Sequence, residues 1–377
     1  MYVIHAPIKK FGVLAPGTSP ICNEVKFFAN TAFCPLHYWA KIHKNHGYID
    51  ITPPQLIKLR KERDLKTIVL FATGGIGDSL WIMPIARALR SKHPTATIGV
   101  VVDSRNKDTW RHCPYVNGVI DNNTWNVYGL LQRADECYDF GGIATVYKDL
   151  MKLEPVEATF KVAELEKPKS NELMRPFLQL TVDEGKAAQK VLLDKGIDIS
   201  KEKVVCMGIE SSTSNRNWPY SFTARLSVLL CDLGYKVVWL GKTNDLQTEE
   251  IKKATEKSGI VNLSGGTHLR RAMAIISLSD LFIGPNSSLM VIATSLQVPT
   301  VGLFGAFDPH RIGKYYDKFF GMWGKVDCSP CNEHWTECRH GHPSPCMRSI
   351  TSESVLEKAK LMLSKYPRSK EHVLPIE

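Results

Sequence analysis

The stretch TIVLFATGGIGDSLWIMPIARALRSKHP, residues 67–94, decides how the rest of the chain is read. It opens with an apolar, β-branched run at 67–73, the length of one strand. A glycine turn follows, Gly74-Gly75-Ile76-Gly77, and then Asp78. Beyond it Leu80, Pro84, Ile85, Ala88 and Leu89 recur at helical spacing until His93-Pro94 stops the pattern. Strand, glycine turn and helix are how an α/β domain presents a ligand site at the carboxyl end of its sheet. One acidic side chain, Asp78, sits at the mouth of that turn. The remainder of the chain is expected to bring a second nucleotide-binding half opposite it.

Working outward, 377 residues suffice for two domains with separate cores. Hydrophobic content of 44% and charged content of 23% are those of an ordinary globular chain. No window approaches ~18 uninterrupted apolar residues, so no membrane span is expected. The first residues lack the basic-then-apolar order of a secretory signal, and a cytoplasmic location is expected. The balance is basic, 48 Lys+Arg against 38 Asp+Glu, a formal +10. That suits an anionic ligand, nucleic acid or an anionic membrane surface without choosing among them.

Residues 1–65 do not follow the α/β pattern and read as an N-terminal extension. From 66 to 180 a first Rossmann-like domain is expected, with strands at 67–73 and 97–103, weaker strands at 118–120 and 137–140, and a helical, charged stretch at 147–176. From 181 to 350 the plan repeats. Strands at 204–209, 236–241, 261–263, 281–283 and 300–304 alternate with helices at 182–195, 221–233, 246–258, 268–279 and 288–296. Residues 351–377 read as a C-terminal helix and tail. Alternating strands and helices imply parallel sheets covered on both faces, with the site in a cleft between two facing halves.

Four segments resemble one family in its own order. GGIGDSLWIMPIARAL (74–89) resembles the opening motif of glycosyltransferase family 9, the bacterial heptosyltransferase family. SNRNWPYSFTARLSVLL (214–230) resembles its second-domain loop, in which a basic residue precedes Trp-Pro. IGPNSSLMVIATSLQVPTVGLFGAFDPHR (283–311) resembles its late signature, and CSPCNEHWTECRHGHPSPCMRSI (328–350) a cysteine tail seen in many members. The resemblance implies the GT-B architecture and an inverting transfer from a nucleotide-diphosphate sugar. It casts Asp78 as general base and Arg216 as a donor-phosphate contact. Where the family pattern has aspartate and, a few residues later, histidine, this chain has Asn286 and Val291. Both positions serve the donor phosphates in the family, so the departures bear on which donor is bound.

The residues can be weighed on their own chemistry. Such a transfer needs a base for the acceptor hydroxyl and stabilisation of the leaving diphosphate. Asp78 is the acidic residue of the glycine turn; it could equally cap the helix that follows, where the helix N-terminus favours the carboxylate form. Gly75 and Gly77 let the backbone approach a ligand. Arg216 and Lys242 each follow a strand, where an anion would sit; Arg can fork onto two phosphate oxygens, whereas Lys acts as a point charge and as readily reads as a solvated loop residue. Asn286, Ser287 and Ser288 form a second anion cradle at a helix start, with a serine cap as the plainer alternative. No Asp-x-Asp pair occurs, so cationic side chains and helix ends, rather than a catalytic metal, are expected at the leaving group. The glycine turn is neither a Walker loop nor a dinucleotide fingerprint.

Of ten cysteines, Cys328, Cys331, Cys338 and Cys346 give C-x2-C-x6-C-x7-C. The first pair suits tetrahedral thiolate coordination, and a structural zinc is expected, with Glu333, His334, Glu337, His340 and His342 nearby; reduced, metal-free thiols are the alternative. The leading functional reading is a glycosyltransferase that uses a nucleotide-sugar donor, ADP-heptose-like by the resemblance, and a glycan or lipid-linked glycan acceptor. Net charge and scattered aromatic residues also fit a transferase acting on hydroxylated bases of DNA. A third reading is a non-catalytic protein that binds nucleotide sugars or nucleic acid. The basic surface is compatible with peripheral membrane contact.

Overall fold

The computed structural model describes residues 66–123, 134–141, 153–242, 249–257, 259–331 and 338–367. They fall into two compact units that meet between Leu178 and Gln179. The expected N-terminal extension, 1–65, lies outside the described residues, as does 368–377 of the expected C-terminal tail.

The first unit runs β1 (Thr67–Phe71), α1 (Ile76–Leu80), α2 (Met83–Lys92), β2 (Thr97–Val102), α3 (Lys107–Trp110), β3 (Gly118–Asp121), β4 (Glu136–Asp139) and α4 (Pro155–Ala163). Its sheet has the order β3-β2-β1-β4, all neighbours parallel. TIVLF and TIGVVV are buried along their whole length because a parallel sheet is covered on both faces.

Two expectations change here. The single helix expected after the glycine turn is two, α1 and α2, broken at Trp81 and Ile82. Pro84 is the reason: its ring would clash with the Leu80 carbonyl in a continuous helix, and it has no N–H to donate. In the first turn of a new helix neither defect matters. The stretch 147–176 is helical only at α4 and a 3-10 turn, Glu172–Met174, within its described part. Pro155 opens α4 next to a Glu154 carboxylate that accepts the Val156 and Glu157 N–H groups. The helix ends at Glu164, which is left-handed at φ 51°.

The second unit runs α5 (Val182–Asp194), β5 (Val204–Gly208), α6 (Tyr220–Asp232), β6 (Lys236–Leu240), α7 (Glu249–Glu256), β7 (Ile260–Asn262), α8 (Leu269–Ser277), β8 (Leu281–Pro285), α9 (Ser288–Ser295), β9 (Thr300–Phe304), α10 (Pro309–Gly313), β10 (Phe319–Trp323), α11 (Pro345–Arg348) and α12 (Ser352–Lys365). The sheet order is β10-β9-β8-β5-β6-β7, again parallel throughout. Val205, Met207, Trp239, Ile283 and Leu303 form a core with Val355 and Ala359 of α12, so the C-terminal helix belongs to this unit. Thr181 and Glu184 close a capping box at the start of α5, and Glu184 also holds Arg270 of α8 at 2.5 Å.

The strand β10, FFGMW, was not expected, because it shows no alternation and carries a central glycine. That glycine is required: a Cβ at Gly321 would lie 2.3 Å from Cβ of Pro309, where α10 packs on the strand.

A sharper constraint falls at Gly324, just past β10, where a Cβ would lie 1.8 Å from the Cys346 carbonyl oxygen. Backbone cannot yield as a side-chain tip can, so Gly324→Ala should cost about 1–3 kcal/mol or prevent folding. Gly266→Ala, with nothing within 4 Å of the added carbon, should leave the melting temperature unchanged within ~0.5 kcal/mol. Calorimetry on the two variants tests this, and equal melting would refute the contact.

Candidate functional site

The order of each sheet says where a ligand can sit. In the second unit the chain leaves β5 towards β6 and β7, then returns to build β8, β9 and β10 on the other side. The crevice outside the carboxyl ends of β5 and β8 is therefore the topological switch point. In the first unit the same reasoning puts it between β1 and β4.

At the β5/β8 switch point the structure brings together residues 70 positions apart. Arg216 ends a short 3-10 turn, Ser214–Arg216, in the loop after β5. Its Nη1 donates to the Asn286 carbonyl oxygen at 3.1 Å, its Nη2 to Ser212 Oγ at 2.9 Å and its Nε to Thr213 Oγ1 at 2.6 Å. Ser211 Oγ also donates to the Asn286 carbonyl, at 3.3 Å. The guanidinium is thus tied to the end of β8 through the Asn286 carbonyl and to its own loop through two hydroxyls. Ser287 precedes α9, and its hydroxyl is buried with no hydrogen-bond partner among the described residues. Ser288 opens α9, and the N-terminus of a helix offers N–H groups with no partner inside the helix.

Asn286 is 8% exposed and Val291 only 2% exposed. At position 291 the chain has a packing residue that cannot reach a ligand. Lys242 is exposed beyond β6, and its backbone N–H donates to a carboxylate oxygen of Glu210. Residues 243–248, the rest of that loop, lie outside the described residues. Sequence reasoning missed Ser211, Ser212 and Thr213 as partners of Arg216. The signal was a polar run directly after an apolar strand.

In the first unit Asp78 is exposed in the first turn of α1. It is not the N-cap but lies three residues beyond it, and its Oδ2 accepts the Gly75 N–H at 3.1 Å. A Cβ on Gly75 would sit 2.6 Å from that oxygen, so a glycine is what lets the carboxylate fold back. Gly74, at φ 112°, needs the same freedom. Its backbone is clamped by the end of β2: the N–H donates to Asp103 Oδ2 at 3.0 Å, and its carbonyl accepts from Asn106 Nδ2 and Arg105 Nη2, both at 3.0 Å. Gly77 lies within α1. Asp103 and Asn106 were not foreseen as supports of the turn, because nothing in the sequence links residues 29 and 32 positions away to Gly74.

At the end of β4, Asp139 lies opposite Phe71 of β1. Its Oδ1 accepts the Gly141 N–H at 2.8 Å. Burial pushes its carboxyl up to about 7, against the pull of that N–H. Sequence reasoning passed over it as a strand-end residue.

The cysteine tail packs beside the Arg216 loop. Ser344 Oγ donates to the Asn215 carbonyl at 3.1 Å, His342 Nε2 lies 3.2 Å from Ser214 Oγ, and Trp218 Nε1 donates to the Ile350 carbonyl at 2.8 Å. Cys328, Cys331, Cys338 and Cys346 carry no disulfide. Burial pushes the Cys346 thiol up to about 11, and the other three thiols add to the rise, so each of them lies within electrostatic reach of Cys346. The donor chemistry suits a thiophilic metal. The geometry does not close a ligand set, for among the described residues no three His, Cys, Asp or Glu side chains are placed to hold an ion. Glu333, His334 and Glu337 fall in 332–337, outside the described residues. Cys113 and Cys137, in the first unit, are buried with thiols raised to about 11 and about 12.

A family model, glycosyltransferase family 9 (heptosyltransferase), matches residues 147–341, just over half of the chain. The match includes Arg216, Lys242, Asn286, Ser287 and Ser288 and leaves Asp78 outside. Lipopolysaccharide heptosyltransferase 2 of Salmonella typhimurium is 32% identical over 149 residues, covering 37% of this chain and 42% of that protein. The chain therefore spans under half the length of that relative. A family 9 glycosyltransferase from Veillonella parvula superposes with a TM-score of 0.63 at 18% identity, covering 80% of this chain and 97% of the other. TibC from enterotoxigenic E. coli, described as an iron-containing dodecameric heptosyltransferase and solved with ADP-D-β-D-heptose, gives 0.58 at 17% identity, covering 80% and 78%. At these identities the superpositions show the fold alone, that of the GT-B heptosyltransferases.

The raised Asp139 carboxyl has a consequence for stability. Between about pH 4 and pH 7 the native state holds a proton that the unfolded chain has released, so stability falls as pH rises through that window. Asp139→Asn should remove the fall: it should melt with the wild type near pH 4 and above it at pH 8, by on the order of 1–3 kcal/mol. A difference that does not change with pH would show an ordinary surface carboxylate.

Proposed function

The chain belongs to glycosyltransferase family 9, the heptosyltransferases, and from that premise we propose that it moves a sugar from a nucleotide-diphosphate donor to an acceptor hydroxyl with inversion. The observation that carries this reading is the Arg216 guanidinium fixed on the Asn286 carbonyl at the β5/β8 switch point, beside the start of α9. A rigid cation and a helix N-terminus aimed at one crevice suit a diphosphate. The donor is taken as ADP-heptose-like, after the nucleotide sugar bound by TibC. The acceptor is taken as a lipopolysaccharide-type glycan, after the name of the Salmonella relative.

In the reaction the acceptor oxygen attacks the anomeric carbon from the face opposite the diphosphate. Its proton passes to the Asp78 carboxylate as the new C–O bond forms. The old bond breaks, with its electron pair going to the β-phosphate oxygen. Arg216, Lys242 and the backbone N–H groups of Ser287 and Ser288 meet that growing charge. Asn286 puts an amide where the family pattern has a carboxylate, so it adds no negative charge beside the guanidinium.

The cysteine tail is read as a structural staple, with Cys328, Cys331, Cys338 and Cys346 holding zinc or iron. A metal there would supply cross-linking and no step of the transfer. Because Ser344 and His342 border the Arg216 loop, the staple would steady the donor site.

Asp78→Asn should lower the turnover number at least ~1,000-fold and leave ADP affinity within about twofold; parallel loss of both would show a structural residue. Arg216→Ala should weaken ADP binding about 10- to 100-fold by calorimetric titration, the worth of a charge-assisted bond or two, and unchanged affinity would remove Arg216 from the site. Elemental analysis should find close to one metal per chain, with chelation lowering both melting temperature and ADP affinity. Folded chain without metal would refute the staple.

A further inference from the structure

The first unit carries a second carboxyl at its switch point, which the transfer chemistry above does not use. Phe71 and Asp139 are the paired last residues of β1 and β4, the two strands that flank the crevice. The backbone continues in step past them, the Phe140 N–H donating to the Phe71 carbonyl at 3.0 Å. Asp139 therefore lies across the crevice from the strand that leads into Gly74, Gly75 and Asp78.

Two details set this carboxyl apart from a turn residue. Its Oδ1 closes a turn by accepting the Gly141 N–H. An asparagine oxygen would do that equally well, and without the cost of burying an ionisable group. Its Oδ2 makes no polar contact among the described residues. Gly141 is also tightly specified: a Cβ there would lie 2.9 Å from Thr73 Oγ1 and 3.1 Å from Asp139 Oδ1. The missing side chain lets the end of β1 and the Asp139 carboxyl close on the same point. A half-buried carboxyl has been kept where it is expensive, with one oxygen held and the other left over.

We infer that Asp139 is a positioning residue for the acceptor, its Oδ2 receiving a hydrogen bond from a hydroxyl of the acceptor sugar while Asp78 acts on the attacking one. The inference rests on the transferase reading. A carboxyl suits this task because a sugar hydroxyl needs an acceptor for its proton, and a carboxyl oxygen accepts it. A second hydrogen bond on the same sugar fixes its rotation and so aims the reacting hydroxyl.

The test compares wild type with Asp139→Asn, which keeps the Gly141 turn but puts an amide N–H in place of the spare oxygen. ADP-heptose and heptose-deficient lipopolysaccharide serve as probes, with transfer followed by ADP release and by mass spectrometry of the acceptor. The acceptor KM should rise about tenfold or more. The turnover number at saturating acceptor should stay within a few-fold, unlike the collapse expected for Asp78→Asn. ADP affinity should hold, and the melting temperature at pH 8 should be no lower than that of the wild type. An acceptor KM within twofold of wild type, or one that rises only together with loss of ADP affinity and stability, overturns the inference. Wild type that transfers sugar while the variant matches it sinks this proposal alone. Wild type that makes no transfer product from these probes sinks the transferase reading as well.

Discussion

In a parallel sheet covered on both faces the central strands bury apolar side chains, and the polar residues able to face a ligand follow their carboxyl ends. Both units obey this constraint. Residues of β1, β2, β5, β8 and β9 are buried from end to end, and the chemistry starts in the residues just beyond. Asp78 and Asp103 in the first unit, and Ser211, Arg216 and Asn286 in the second, follow strands that can carry no charge themselves.

What the edge does with those groups differs between the units. In the second it fixes a cation: the Arg216 guanidinium donates to hydroxyls of its own loop and to the Asn286 carbonyl at the end of β8. In the first it shapes a turn. Gly74 is locked by Asp103, Asn106 and Arg105, and Gly75 lets the Asp78 carboxylate fold back on the backbone. Both arrangements are preorganised, so little reordering is needed when charge develops on a substrate.

Asp139 shows the opposite economy. Its burial raises the carboxyl towards neutrality and destabilises the native state at high pH. Groups that cost stability without improving packing tend to be those that meet a ligand. The cysteine tail is a milder case, with three thiols in electrostatic reach of Cys346 and hydrogen bonds to the Arg216 loop.

By itself the sequence determined a good deal. Continuous apolar strands, glycine turns and regularly spaced helices were enough for two parallel α/β units, and four ordered motifs were enough for the family. Arg216, Asn286 and Ser287 could be singled out in the sequence because each lies in the loop that follows a strand. Local signals failed where the cause was not local. Pro84 splits a helix because a continuous one would clash with the Leu80 carbonyl, and β10 forms because β9 offers it an edge and Gly321 leaves room for Pro309. Only the tertiary structure joined Arg216 to Asn286, Asp103 to Gly74 and Asp139 to the β1 turn. Strand order decides which carboxyl ends lie side by side. Strand order depends on long-range packing that no single stretch of the chain encodes.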